Sequence, residues 1–157
     1  MKLADLTSHH IEGIAVHGDT PFNVPLFSHI EGNLWMGGCP IKSAPDDFEY
    51  IVSLYSSEPY TINYSQVHTK APLFDEASIP NEERIYALAR CVNAYKRHGV
   101  TLVHCQAGLN RSGLVSALAL ILDGKTPENA ISMLRNKRSP AVLCNRTFEE
   151  WLLTRDK

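Results

Sequence analysis

A short apolar run, Val100-Thr101-Leu102-Val103, stops at His104-Cys105, and a long apolar stretch opens at Ser112 a few residues later. No other segment restricts the architecture so tightly. A continuous apolar run of that length, bounded by Gly99 and a turn, reads as a strand covered on both faces. Ser112 to Leu122 (Ser-Gly-Leu-Val-Ser-Ala-Leu-Ala-Leu-Ile-Leu) is apolar nearly all round, the pattern of a helix in the middle of a domain. The expected fold is one α/β domain, a central sheet of four to five mostly parallel strands with helices on both faces. The loop after residues 100–104 then lies at the carboxyl edge of the sheet, where such folds bind ligands.

A strand-to-helix connection this tight aims the backbone N–H groups of residues 106–112 into one concavity, a nest for anions. The helix that follows adds unpaired N–H groups and the positive end of its dipole. Gly108 supplies a position able to take positive φ, so the loop can close. Arg111 adds a planar fork of donors matched to two phosphate oxygens. Gln106, Ala107, Gly108, Leu109, Asn110 and Arg111 are therefore the expected contacts of a phosphate or sulfate anion. Cys105 stands where the field is strongest, and such surroundings favour the thiolate, which is the nucleophilic form. A thiolate there is set to attack a bound phosphomonoester and form a cysteinyl-phosphate. Arg111 and the loop amides would stabilise charge on the equatorial oxygens. Ser112 is placed to hydrogen-bond Cys105 and to ease departure of the sulfur in the hydrolytic step. A buried structural cysteine ending a strand is the ordinary alternative. Cys, Gly, Arg and Ser together in one strand–helix frame favour the nucleophile.

The run His104-Cys105 followed by Arg111-Ser112 resembles the signature of the cysteine-dependent protein tyrosine phosphatase superfamily, and its flanks resemble the small dual-specificity branch. The similarity extends over roughly residues 26–155. Ile30 to Gly38 is similar to that family's first core strand and Tyr50 to Leu54 to its next, while residues 139–151 resemble its closing loop and last helix. The resemblance implies hydrolysis of phosphotyrosine and phosphoserine or phosphothreonine in proteins, without a cofactor. It also implies a general acid on a mobile loop about thirty residues before the cysteine, the position of Asp75 in Pro72-Leu73-Phe74-Asp75-Glu76-Ala77-Ser78-Ile79-Pro80. That stretch is turn-rich, as a movable acid loop should be. A general acid gives its proton to the departing oxygen and later takes one from water. Glu76 is the alternative acid, with Asp46 and Asp47 behind it. The resemblance makes His104 a supporting residue behind the loop and Asn145 a brace for it; a satisfied strand-end histidine and a turn asparagine are the ordinary readings. No lysine lies among the variable loop positions, which disfavours inositol lipids. Asn110 and Gly113 also resemble the RNA 5′-triphosphatase relatives, so RNA ends are a second substrate class. A phosphate-binding module without catalysis is a third reading.

A net charge of −2 gives little support for broad nucleic-acid binding. The 157 residues, 44% of them hydrophobic, suit one domain. Residues 26–157 are expected to form the catalytic domain and residues 1–25 a lead-in packed on it. No apolar run reaches the length of a membrane span, and Met1-Lys2-Leu3-Ala4-Asp5 lacks the long apolar core expected of a signal peptide. The four cysteines form no Cys-x-x-Cys pair, and one is needed as a free thiol, so a reducing, cytoplasmic setting is expected. Cys39, Cys91 and Cys144 read as small buried residues. The seven histidines lack metal-ligand spacing. Ile85, Leu88, Ala89, Val92 and Tyr95 fall at helical spacing between caps at 78–81 and Gly99. Thr126-Pro127-Glu128 starts another helix, with Thr126 as N-cap. Arg135-Asn136-Lys137-Arg138 reads as its solvated end, with a role in holding an acidic substrate as the alternative, and Arg146 is a similar case.

Overall fold

The apolar run before Cys105 forms a strand with every side chain buried, Thr101–His104. In the computed structural model it is the central strand of a five-stranded sheet. The structure describes residues 24–155 except 41–43, 45 and 57–59, together with the backbone of 15–17 and 20–22. In chain order the strands are β1 (Ala15–His17), β2 (Thr20–Phe22), β3 (Phe27–Glu31), β4 (Leu34–Gly37), β5 (Tyr50–Ser53), β6 (Val67–Lys70) and β7 (Thr101–His104). The helices are α1 (Glu82–Lys96), α2 (Arg111–Leu122), α3 (Pro127–Lys137) and α4 (Arg146–Leu153). β1 and β2 pair with each other; most of the expected lead-in over 1–25 otherwise lies outside the described residues.

The main sheet runs β3-β4-β7-β5-β6. β4, β7, β5 and β6 are mutually parallel, and β3 is an antiparallel edge strand. The expected α/β domain with a mostly parallel sheet is what the chain forms. The stretch Ile30 to Gly38 is not one strand, however. Glu31 pairs with Leu34 across a two-residue turn in which Gly32 takes φ 54°, so the stretch holds the end of β3, a hairpin and β4. A left-handed glycine at the first turn position matches the twist of an antiparallel pair.

Alternation along the strands splits the core. Leu34, Met36, Val52 and Val103 face α1–α4, and the cluster they form includes Ile85, Leu118, Leu134 and Phe148. Trp35, Ile51 and Leu102 face the other way, onto Phe27, Phe48 and Tyr60. Helices were expected on both faces. Among the described residues all four lie on one, and loop residues Ala44, Phe48 and Tyr60 help cover the other. Phe48 and Tyr60 come from the long segments before β5 and before β6, and Phe48 packs edge-on to both Phe27 and Trp35.

α2 occupies the centre of the helical layer, and Ser112 to Ile121 are all buried. α1 starts at Asn81, whose side chain accepts from the Arg84 N–H, and α3 starts at Thr126, which accepts from the Asn129 N–H with Pro127 in the first turn. Both caps stand where the sequence puts them. No helix among the described residues is long and apolar enough to cross a membrane.

Candidate active site

The loop between β7 and α2 leaves the carboxyl end of the central strand, with its carbonyls held from outside. Gln106 O accepts from the Cys39 N–H (3.0 Å) and Leu109 O from the Leu143 N–H (3.0 Å). Between them, Ala107 O accepts from Arg138 Nη2 (3.2 Å) and Gly108 O from Arg138 Nε (2.7 Å). In a planar trans peptide the N–H points opposite to the C=O. Four consecutive carbonyls turned outward therefore turn the N–H groups of 107–110 inward, into a nest. Gly108 makes the curve possible at φ 76°. A Cβ there would run into Gly37 main chain and Arg138 Nη2. Leu143 itself takes φ 60°, an uncommon conformation for leucine, where its N–H meets Leu109 O.

α2 differs from its neighbours at its start. Its N-cap, Asn110, makes no side-chain capping bond, and its first turn holds no acidic residue. α1, α3 and α4 each have both. The leading N–H groups and dipole of α2 are thus left to whatever enters the nest.

Cys105 lies at the base of the loop, 2% exposed, with Sγ 3.4 Å from Ser112 Oγ. That contact is the one expected from the sequence. Burial of the cysteine follows from its place at the last position before the loop, where the strand, α2 and the loop converge. His104 is fully buried on the opposite face of β7. Its Nδ1 is 3.1 Å from Cys105 O and its Nε2 2.7 Å from the Tyr60 hydroxyl, which also lies 3.3 Å from His68 Nε2. Arg111 is half-buried at the rim. Its Nη1 donates to Leu73 O (3.3 Å), and its guanidinium carbon sits 5.6 Å from the centre of the Tyr55 ring. Its buried Nε–H has no hydrogen-bond partner among the described residues.

Asp75 is brought to the loop and Glu76 is not. Asp75 Oδ2 accepts from Asn110 Nδ2 (2.9 Å) and Oδ1 from Asn145 Nδ2 (2.8 Å). The exposed Glu76 carboxylate accepts instead from Ser78 Oγ, 3.1 Å away. Asp46 accepts from Asn63, in a different segment. Asn145 does more than brace the loop. Its N–H donates to Asn110 Oδ1 (2.9 Å), its Nδ2 also donates to Glu76 O (2.8 Å), and its Oδ1 caps α4 through the Phe148 N–H (3.2 Å). Asn110, expected among the phosphate contacts, is 2% exposed and has its side chain turned to Asp75 and Asn145, so only its backbone belongs to the nest. Gln106 is exposed at the mouth, Ala107 half-buried, and Leu109 packs into the helical core.

Three sequence readings change. Arg138 is not part of a solvated helix end: it is 8% exposed and spends its guanidinium on the loop, while Asn136 and Lys137 beside it are exposed. A four-residue basic run at a helix end carries no sign that its last member turns inward. Cys144 is exposed and Cys91 half-buried, whereas Cys39 is buried as expected. Tyr60, the partner of His104, was not singled out; it comes from a distant segment with no motif around it.

The catalytic-domain model of the dual specificity phosphatases matches residues 39–157, well over half of the chain. No curated protein matches the chain in sequence. Among solved structures, Tk-PTP in its active form is similar over 83% of this chain and 98% of its own, with TM-score 0.67 and 23% identity. Human DUSP28 is similar over 82% and 95%, with TM-score 0.63 and 18% identity. OH1 from the Orf virus, described as a tyrosine phosphatase with triple substrate specificity, is similar over 81% and 84%, with TM-score 0.66 and 19% identity. At these identities the structural likeness establishes the fold, and the family rests on the catalytic-domain match. The chain belongs to the dual specificity phosphatase catalytic-domain family.

Proposed function

We propose that this protein is a phosphomonoesterase that removes phosphate from phosphotyrosine and phosphoserine or phosphothreonine in proteins through a cysteinyl-phosphate on Cys105. One observation carries the reading: the loop that starts at Cys105 has four successive carbonyls bonded on its outer side, which leaves its N–H groups for a dianion above the sulfur. In the first step the Cys105 thiolate attacks phosphorus in line. The S–P bond forms, the P–O ester bond breaks, and Asp75 gives its proton to the departing oxygen. In the second step water attacks phosphorus and loses a proton to the Asp75 carboxylate. The S–P bond breaks, orthophosphate leaves, and the Ser112 hydroxyl hydrogen-bonds the sulfur as it regains its charge. Arg111 serves as the clamp on two phosphate oxygens, using a fork that includes the unpartnered Nε–H. His104, held by Tyr60, supports the cysteine from behind the loop.

The RNA-end reading rested on Asn110 and Gly113, and both have a structural use. Asn110 ties Asp75 to Asn145. Gly113 lies against Leu143 and Val142, where a Cβ would come within 3.1 Å of Leu143 Cγ. Phe74 is 74% exposed between Leu73, which bonds Arg111, and Asp75, which bonds Asn110. It offers a flat apolar surface at the rim to a substrate ring. The test is hydrolysis of p-nitrophenyl phosphate in EDTA, followed by phosphotyrosine and phosphothreonine peptides beside 5′-triphosphorylated RNA. Turnover of the aryl phosphate and of both peptides, lost in Cys105→Ser, is expected. Release of phosphate from the RNA alone would move the protein to the second substrate class.

A further inference from the structure

Arg138 ends α3 far from the Cys105 motif in sequence, yet it is the most heavily engaged side chain against the loop. Its Nε and Nη2 donate to the carbonyls of Gly108 (2.7 Å) and Ala107 (3.2 Å). Its Nη1 donates to Pro25 O (2.9 Å) and Ser28 Oγ (3.0 Å). One planar guanidinium thus joins two loop carbonyls to the chain entering β3, a geometry an ammonium cannot reproduce. Among the described residues no carboxylate pairs with it, although a buried cation ordinarily has such a partner. All four acceptors are neutral.

We infer that Arg138 is a positioning residue of the active site: from behind the loop it turns the Ala107 and Gly108 peptides so that their N–H groups face the anion, and it supplies a second fixed positive charge to the Cys105 thiolate. It touches no substrate and acts through the loop. Burial pulls its pKa down to about 10, and attraction to the Cys105 sulfur works against that shift; the guanidinium therefore stays charged at neutral pH. The titratable groups gathered about the loop include His104 on β7, Arg111 at the start of α2 with Tyr55 against it, Asp75 after β6, Arg138 at the end of α3 and Cys144, whose sulfur lies 3.4 Å from Asn110 Nδ2. Of the two arginines, Arg111 is reserved for the substrate and Arg138 is permanently committed to the loop.

The inference rests on the reading of Cys105 as a nucleophile, but its test needs no turnover. The rate of Cys105 alkylation by iodoacetamide is measured at pH 6.5 and pH 9.5, with and without inorganic phosphate, in the full chain and in Arg138→Met, Arg138→Lys and Lys137→Met. Circular dichroism establishes that each variant is folded at the assay temperature. In Arg138→Met the rate at pH 6.5 is expected to fall about tenfold while that at pH 9.5 changes little, and protection by phosphate to weaken about tenfold. Arg138→Lys, which keeps the charge but not the four-way bridge, is expected to restore the pH 6.5 rate to within about threefold while phosphate protection stays weak. Lys137→Met, an exposed neighbour of equal charge, should match the unaltered protein in both readouts. A folded Arg138→Met with unaltered rate and protection overturns the inference. If Arg138→Met does not fold, Arg138→Lys decides, and full phosphate protection in that variant overturns it. Should the unaltered protein hydrolyse no phosphomonoester while Arg138 still governs alkylation and protection, the phosphatase proposal fails and the role of Arg138 stands.

Discussion

Two adjacent carboxylates, Asp75 and Glu76, receive different surroundings, and that difference is why Asp75 is the proposed acid. Asp75 is held at the loop by two side-chain amides, while Glu76 is exposed and bonds a neighbouring serine. Asp75→Asn is expected to lower kcat at least about 100-fold with little change in KM, and Glu76→Gln to leave both unchanged; steady-state kinetics on a phosphothreonine peptide, whose alkoxide leaving group needs the acid, measure this. Equal losses in the two variants would contradict the assignment. Gly108 permits a second residue-scale prediction. Its φ of 76° and the main chain of Gly37 against its Cα leave no room for a methyl group. Gly108→Ala should therefore cost more than about 2 kcal/mol of stability and abolish phosphate protection of Cys105, as chemical denaturation and alkylation would show. Cys105, Gly108, Arg111 and Ser112 were legible because one contiguous motif carries them. Asp75 was singled out through the family resemblance, which puts an acid about thirty residues before the cysteine, and its carboxylate does reach Asn110 of the loop. Arg138 and Tyr60 were not legible: they act on a carbonyl pair and on a histidine ring from remote segments, and a main-chain carbonyl leaves no mark in a sequence.

At the scale of elements, local chemistry was read where it is local. Asn81 and Thr126 cap their helices as their sequence contexts require, and the all-apolar segment after Arg111 became the central helix. The hairpin at Gly32 was hidden inside a stretch whose apolar residues suit either one long strand or two short ones, since both bury Leu34 and Met36. The side of the sheet on which a helix lands depends on crossover geometry, which a single sequence does not display. Asn145 joins two elements. Its side chain caps α4 and also holds the segment that carries Asp75. Asn145→Ala is expected to lose about 1 kcal/mol of stability through the cap. It should also lower kcat roughly tenfold as Asp75 loses one of its two amide tethers. A variant with the stability loss alone would make Asn145 a cap and nothing more.

Across the whole molecule, the site gathers residues 73–76, 105–112 and 138–145 at one edge of the sheet, with α2 beneath as the common support. Beyond Arg111 and Ser112 at its start, α2 contributes almost nothing but apolar side chains to that task. Leu118, fully buried at its middle, is expected to cost about 3 kcal/mol when changed to alanine, seen as a Tm lowered by about 9 °C. Activity well below that Tm should stay within about twofold, because the nest is bonded from its outer side and not by Leu118. The central claim is that phosphate passes through the sulfur of Cys105. The most direct measurement mixes Asp75→Asn with an aryl phosphate, whose good leaving group needs no acid, quenches in acid, and maps phosphate on the chain by mass spectrometry. The account predicts a phosphate adduct on Cys105, absent from Cys105→Ser. Continued hydrolysis by folded Cys105→Ser, or an adduct on any other residue, would contradict it.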